Sequence, residues 1–157
     1  MGLKLLLAVS ADGFLAKGPN DDMKWTGPAD KAVFRLLTLT GGVLLAGRQT
    51  AQQLPPLPGR KVVALSRQHH LGLTLREAYW STPQAWLIGG PSVAAEALRE
   101  NMVERAFLCR TDAILGEGIP IGPLAALLPE VCTYRQKVAG IYVDVYTGLQ
   151  ERTRGGT

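Results

Sequence analysis

The sequence predicts an α/β domain whose central mixed sheet is mostly parallel, carries helices on both faces and ends in an antiparallel C-terminal edge. Three observations predict it. Strand-like and helix-like segments alternate along the chain, as βαβ units require. The first strand-like run, Leu3 to Val9, is apolar but for Lys4, as strands covered on both faces tend to be. The last third of the chain changes character and becomes a series of strand-like runs.

In order, Leu3 to Val9 opens the sheet, and a loop rich in Gly, Asn and Asp follows from Asp12 to Lys24. Pro28 then fits the first turn of a helix that runs to about Leu39, with Gly27 as its N-cap. "GGVLLAGRQT" reads as a turn, a buried strand from Val43 to Leu45 and a helix start near Gln49. "PPLPGRKVVALSR" reads as a loop and a strand from Val62 to Leu65. "AWLIGGPSVAAEALRE" gives a strand from Ala85 to Ile88, a glycine pair, and an amphipathic helix from Pro91 to about Glu100. Arg105 to Thr111, Val131 to Gln136 and Ile141 to Tyr146 complete the sheet, the last two as a hairpin turned at Val138 to Gly140.

Composition narrows the function. A chain of 157 residues, 46% of them apolar, suits one domain over residues 1–150 with a flexible tail at 151–157. The net charge of +4 is scattered rather than gathered into runs, which speaks against nucleic-acid or membrane partners and for a small anionic ligand. Cys109 and Cys132 lack metal spacing, so no metal site and two free thiols in a reducing, cytoplasmic setting are expected. "MGLKLLLAVS" is too short for a membrane span. A monomer is the expected state, with a dimer as the alternative.

One residue breaks the pattern. In "WTGPADKAVFRLL", Asp30 shares a helical stripe with Val33, Phe34 and Leu37. As a first-turn charge it would favour the helix dipole by about 0.3 to 1 kcal/mol. That does not explain its apolar face, where burial without a partner costs more than the dipole returns. A cationic or hydrogen-bond-donating ligand would resolve the conflict.

Ligands of open α/β sheets bind beyond the carboxyl ends of the strands. The turns there carry Gly47, Arg48, Gln49 and Thr50, then Leu65, Ser66 and Arg67, then Ile88, Gly89, Gly90, Pro91, Ser92 and Val93. Glycine amides at a helix start, hydroxyls and guanidinium groups together suit a dinucleotide with an extra phosphate.

At this point the sequence resembles dihydrofolate reductase and its superfamily, through "MKWTGPADKAVF", "AGRQT", "LPPLPGRKVVALSR" and "LIGGPSV" in family order across most of residues 3 to 112. The resemblance implies a three-layer dihydrofolate-reductase-like fold, NADPH as cofactor and hydride transfer to a pterin ring. It implies that Asp30 grips the pterin amino group and ring nitrogen and favours imine protonation. Met23 and Trp25 would then belong to a mobile loop and to the tryptophan that orders water near the acid. Leu6 and Ala8 would floor the pocket, Phe34 pack on the pterin, Leu54, Ile88 and Cys109 line the substrate, and Arg60 pair with the glutamate tail. The turns named above, with Ala8, would hold NADPH, and the Gly89–Gly90 peptide would be cis.

Ala94 departs from the family's tyrosine beside the nicotinamide, and Cys109 from its threonine beside the acid. "SADGFLA" and "ILGEGIPI" look more like the riboflavin-pathway pyrimidine reductases. Three readings follow: a dihydrofolate reductase, a reductase of a ribosylamino-pyrimidine or other small heterocycle, and a catalytically silent binding protein on the same fold.

Overall fold

Strand β1 (Leu3–Val9) runs through the middle of a seven-stranded sheet, and its alternation shows why it belongs there. Leu3, Leu5, Leu7 and Val9 enter one apolar cluster, while Leu6 enters another on the opposite face. Both faces are therefore covered. Leu3, Leu5 and Val9 are fully buried, each contributing about 1.5 to 3 kcal/mol of apolar burial.

The computed structural model describes residues 2–19, 21–39 and 42–150; the tail expected at 151–157 lies outside them. After β1 come β2 (Phe14–Ala16), a 3-10 turn (Lys24–Thr26), α1 (Gly27–Thr38), β3 (Val43–Gly47), α2 (Arg48–Gln53) and β4 (Lys61–Leu65). A second 3-10 turn (His69–Leu71), α3 (Leu75–Ser81), β5 (Trp86–Leu87), α4 (Pro91–Arg99) and β6 (Val103–Arg110) follow. β7 (Ile119–Pro120), α5 (Gly122–Ala125), β8 (Tyr134–Val138) and β9 (Ile141–Tyr146) close the chain.

The sheet order is β4-β3-β5-β1-β6-β9-β8. The first five of these strands are parallel, and β9 and β8 run antiparallel at the edge. The three-layer α/β fold expected from the sequence is thus the one observed. Val33, with Phe34 and Leu37 beside it, brings α1 to the face that holds Leu6, Leu44 and Trp86. Leu75, Ala78, Ala94, Ala97 and Leu124 bring α3, α4 and α5 to the other.

Several boundaries differ from expectation. The N-cap of α1 is Thr26, not Gly27, because the 3-10 turn runs straight into the helix with Thr26 already in helical backbone geometry. β5 is only Trp86–Leu87, although the Ile88 amide still donates to the Leu45 carbonyl at 2.9 Å. β8 begins at Tyr134 rather than Val131, which stands 78% exposed before the ladder with β9 opens. The 3-10 turns, the four-residue α5, α3 and the β2–β7 pair were not anticipated. α3 is announced by a reciprocal cap in which Thr74 and Glu77 each accept the other's backbone N–H. The two-stranded sheet of β2 and β7 is too short for any alternation to show.

Candidate functional site

A cleft of about 1370 Å³ opens over the carboxyl ends of β1, β3, β4 and β5. Pockets for a single small ligand usually measure about 300 to 1,000 Å³, so this one has room for two. Its two ends differ in charge.

The acidic end is built on α1. Asp30 lies half-buried in the first turn, one turn before Phe34, and both line the cleft with Leu6, Ala8, Leu54 and Ile88. Burial raises the Asp30 carboxyl above its ordinary value; hydrogen bonding with the Thr26 hydroxyl and the Cys109 thiol and the charge of Lys31 oppose that rise. Cys109, on β6, is 1% exposed and stands behind the acid rather than on the cleft wall. Burial, then the Asp30 charge, pushes the thiol far up, so it stays protonated and can donate. At the rim, Arg60 Nε donates to the Pro58 carbonyl and Nη1 to Thr38 Oγ1, both at 3.2 Å. Two of the five guanidinium donors are engaged there, and the group sits 6.0 Å from the Phe34 ring centre.

The other end is basic and glycine-lined. The Gly89–Gly90 peptide is cis, as the resemblance implied, and α4 begins directly after it with Pro91 in its first turn. The Gly47 amide donates to the Gly89 carbonyl at 2.8 Å. A Cβ on Gly47 would lie 3.3 Å from Val93 Cγ2 and 3.6 Å from the Gly90 nitrogen, so the close approach of these turns suits glycine. The first amides of a helix have no partner within it, and Ser92 and Val93 face the cleft. Around them the cleft collects Arg48, Gln49, Thr50, Leu65, Ser66 and Arg67. Arg67 Nη2 donates to Ser92 Oγ at 3.3 Å, and Nη1 lies 4.0 Å from Glu96. A phosphorylated dinucleotide fits this end: guanidinium groups, hydroxyls and orphan amides converge on one open groove.

A lid covers the middle. Ala16, Gly18, Pro19, Asp21, Asp22 and Met23 line the cleft from the loop that follows β1. Asp12 anchors that loop, accepting from Ser10 Oγ at 2.7 Å and from the Leu115 and Gly116 amides at 3.1 and 2.7 Å. The Ser10 hydroxyl and these amides hold the Asp12 carboxyl down at about 2. Asp21 organises the next turn: although burial opposes it, bonds from the Lys17 and Met23 amides and the Trp25 indole hold its carboxyl below the usual range.

Trp25 is tied to the same carboxylate. Its indole N–H donates to Asp21 at 2.7 Å, and the ring is not on the cleft wall beside Asp30. Every other expected site residue lines the cleft except Cys109, which reaches it through Asp30. Residues not anticipated also face it, among them Thr26, Lys31, Gln68, Arg76 and Glu96. Ser92 and Glu96, four apart and so on one face of α4, were the legible signal for the last of these.

No group of His, Cys, Asp or Glu side chains suited to a metal occurs among the described residues, and no helix there is long and apolar enough to cross a membrane. Both cysteines are free.

Fold and cleft together define an α/β protein whose one long cleft gathers arginines and a glycine turn at one end and carries a half-buried carboxylate at the other. A family model for dihydrofolate reductase matches residues 2–105, and the chain belongs to that family, whose cofactor is NADPH. Dihydrofolate reductase of Mycobacterium tuberculosis (strain H37Rv) is 38% identical over 104 residues, 60% of this chain and 63% of the relative. That of Mycobacterium leprae is 33% identical over 108 residues, 60% of this chain and 64% of the relative. The match thus spans less than two thirds of either relative's length. A solved structure from Shewanella sp. PV-4, assigned by name to riboflavin biosynthesis, superposes with a TM-score of 0.63 at 16% identity, covering 94% of this chain and 98% of that one. That likeness is one of fold.

Proposed function

We propose that the protein reduces 7,8-dihydrofolate to tetrahydrofolate with NADPH. The observation that carries this reading is the half-buried carboxylate of Asp30 at the end of the same cleft whose far end gathers Arg48, Arg67 and the Gly89–Gly90 turn. NADPH, when bound, supplies the hydride. The chain's own residues do the rest. Arg48, Ser66 and Arg67 hold phosphate by charge-assisted hydrogen bonds, and the α4 amides bind the diphosphate. Phe34 and Leu6 give the pterin an apolar slot. Asp30 accepts from its amino group and ring nitrogen, and a carboxyl raised by burial is well placed to favour protonation of the neighbouring imine. Arg60 takes the carboxylate tail. The lid from Ala16 to Met23 excludes water.

A second reading has one observation in its favour. The two segments that resemble the riboflavin-pathway reductases come together in the structure, as the β2–β7 pair and the Asp12 bonds to Leu115 and Gly116. On that reading the acidic site takes a ribosylamino-pyrimidine instead.

The deciding experiment offers each substrate with NADPH to the wild-type protein and to Asp30→Asn. The variant should fold, and melt no lower than the wild type, because a desolvated charge is gone. Its turnover of dihydrofolate should fall by about 10² to 10⁴-fold, the usual worth of a positioned acid or base. The loss should shrink at low pH, where the substrate takes its proton from solvent. Turnover of the pyrimidine alone would establish the second reading, and an active Asp30→Asn would overturn the first. Absence of turnover with either substrate would leave the silent binding protein.

A further inference from the structure

Thr38 closes the last turn of α1 and is fully buried. Its hydroxyl has one proton to give and two lone pairs to offer. The proton goes back along the helix, where Oγ1 donates to the Phe34 carbonyl at 2.7 Å. The lone pairs are left for a donor, and Arg60 Nη1 fills that place at 3.2 Å. Neither role can be exchanged, since a carbonyl has no proton and a guanidinium no lone pair.

Arg60 reaches this oxygen from a tight turn. Its amide donates to the Leu57 carbonyl at 3.2 Å, Gly59 stands between them in left-handed geometry at φ 77°, and Nε donates to the Pro58 carbonyl at 3.2 Å. The guanidinium is a rigid planar fork, so bonds at Nε and Nη1 fix its plane. Pro58 belongs to the same turn as the arginine and is exposed, so its carbonyl cannot set the fork against α1. Thr38 can, because it is bonded to Arg60 on one side and to Phe34 on the other. Both of those residues line the cleft, with the guanidinium 6.0 Å from the ring centre. Among the described residues, one N–H of Nη1 and both of Nη2 are left for a ligand.

We propose that Thr38 is a positioning residue: its hydroxyl, committed as a donor to the Phe34 carbonyl, gives Arg60 a fixed acceptor and so aims the rest of the guanidinium at the carboxylate tail of a ligand whose ring lies on Phe34. The inference rests on the proposed role of Arg60 as the group that takes that tail, and adds to it the buried oxygen that sets its direction and its distance from the ring.

The test uses Thr38→Val, which keeps the shape and removes the hydroxyl, and Thr38→Ser, which keeps the hydroxyl. The first readout is solvent exchange of the Arg60 Nε–H, followed by nitrogen-15 NMR and assigned by its loss in Arg60→Lys. It should quicken by about 3- to 10-fold in valine, the worth of one ordinary hydrogen bond, and stay at the wild-type rate in serine. The second is steady-state kinetics with NADPH on dihydrofolate and on 6-methyl-7,8-dihydropterin, which has no tail. Valine should raise KM for dihydrofolate by about 3- to 10-fold with little change in kcat, and leave the KM of the tail-less pterin where it was; serine should behave as wild type with both. Thr38→Ala repeats both measurements if valine does not fold. Unchanged exchange in the variants lacking the hydroxyl overturns the proposal. So does an equal rise in KM for the two substrates, or a serine variant that follows valine, since packing of α1 would then be the cause. The reading of the site fails separately, by Arg60→Lys keeping the wild-type KM for dihydrofolate or by dihydrofolate not being turned over, and in either case the exchange rates still decide whether Thr38 holds the arginine.

Discussion

Replacing Gly118 by alanine tests how the lid is held. The added Cβ would lie 2.1 Å from the Ala16 carbonyl oxygen and 3.2 Å from its carbon, with the backbone at φ +149°. A carbon and an oxygen settle at about 3.3 Å or more, so the two backbones must part by roughly 1 Å. Neither atom is the end of a flexible side chain. Overpacking of this kind costs about 1 to 3 kcal/mol, and a left-handed φ on a residue with a Cβ adds about as much. The chain has a cheaper route. β2 and β7 share only the pairs Phe14–Pro120 and Ala16–Ile119, and releasing them leaves the seven-stranded sheet intact. Gly118→Ala should therefore lose about 1 to 3 kcal/mol in urea denaturation, with faster amide exchange confined to residues 12–19 and 112–121 and weaker cofactor binding. Gly122 supplies the control. A Cβ there meets nothing within 4 Å, and the residue opens α5, so Gly122→Ala should gain about 0.4 to 1 kcal/mol by restricting the unfolded chain. Equal stability of the two variants, with unchanged exchange near the lid, would refute the reasoning.

NADPH should bind better than NADH by about 1.5 to 3 kcal/mol, the worth of hydrogen bonds to a charged group. Arg67→Ala should erase most of that margin and Glu96→Gln should widen it by freeing Arg67; cofactor titrations by fluorescence read both. Asp144 is buried and accepts from Arg110 at 3.0 Å and Arg135 at 2.6 Å. Although burial opposes it, these bonds hold its carboxyl below its ordinary value of 3.8, so its stabilisation is present above that pH and lost as pH falls below it. Asp144→Asn should cost about 1 to 3 kcal/mol at neutral pH and flatten the acid limb of melting temperature against pH. A thiol reagent should label Cys132 in the native protein and Cys109 only on unfolding, since Cys109 is buried and its thiolate strongly disfavoured.

The residues that shape the fold were mostly legible because each obeys a local rule. The apolar run of β1, the prolines opening α1 and α4 and the glycines at the strand ends state their geometry in two or three neighbouring letters. Asp30 was legible for the opposite reason, as a carboxylate on a stripe that should be apolar. The bond from the Trp25 indole to Asp21 was not legible because Asp21 lies in a loop whose course no periodicity sets. β2 and β7 were invisible because their pairing joins segments about a hundred residues apart, and only the register of the whole sheet brings them together.

That long-range pairing also sets an order of events during synthesis. Most of the cleft wall comes from residues up to Glu96, with Ile119, Pro120, Pro123 and Leu124 joining it later, whereas Asp12 waits for Leu115 and Gly116, 103 and 104 positions on, and β2 waits for β7. Closing a loop of that length costs about 4 kcal/mol in chain entropy, which a few hydrogen bonds recover only once the intervening sheet has brought the ends near. On the ribosome the groove therefore exists for a time without its cover. Ligand gained by such a chain escapes readily, and the stabilisation that tight binding confers on the folded state is reserved for a chain made past Pro120.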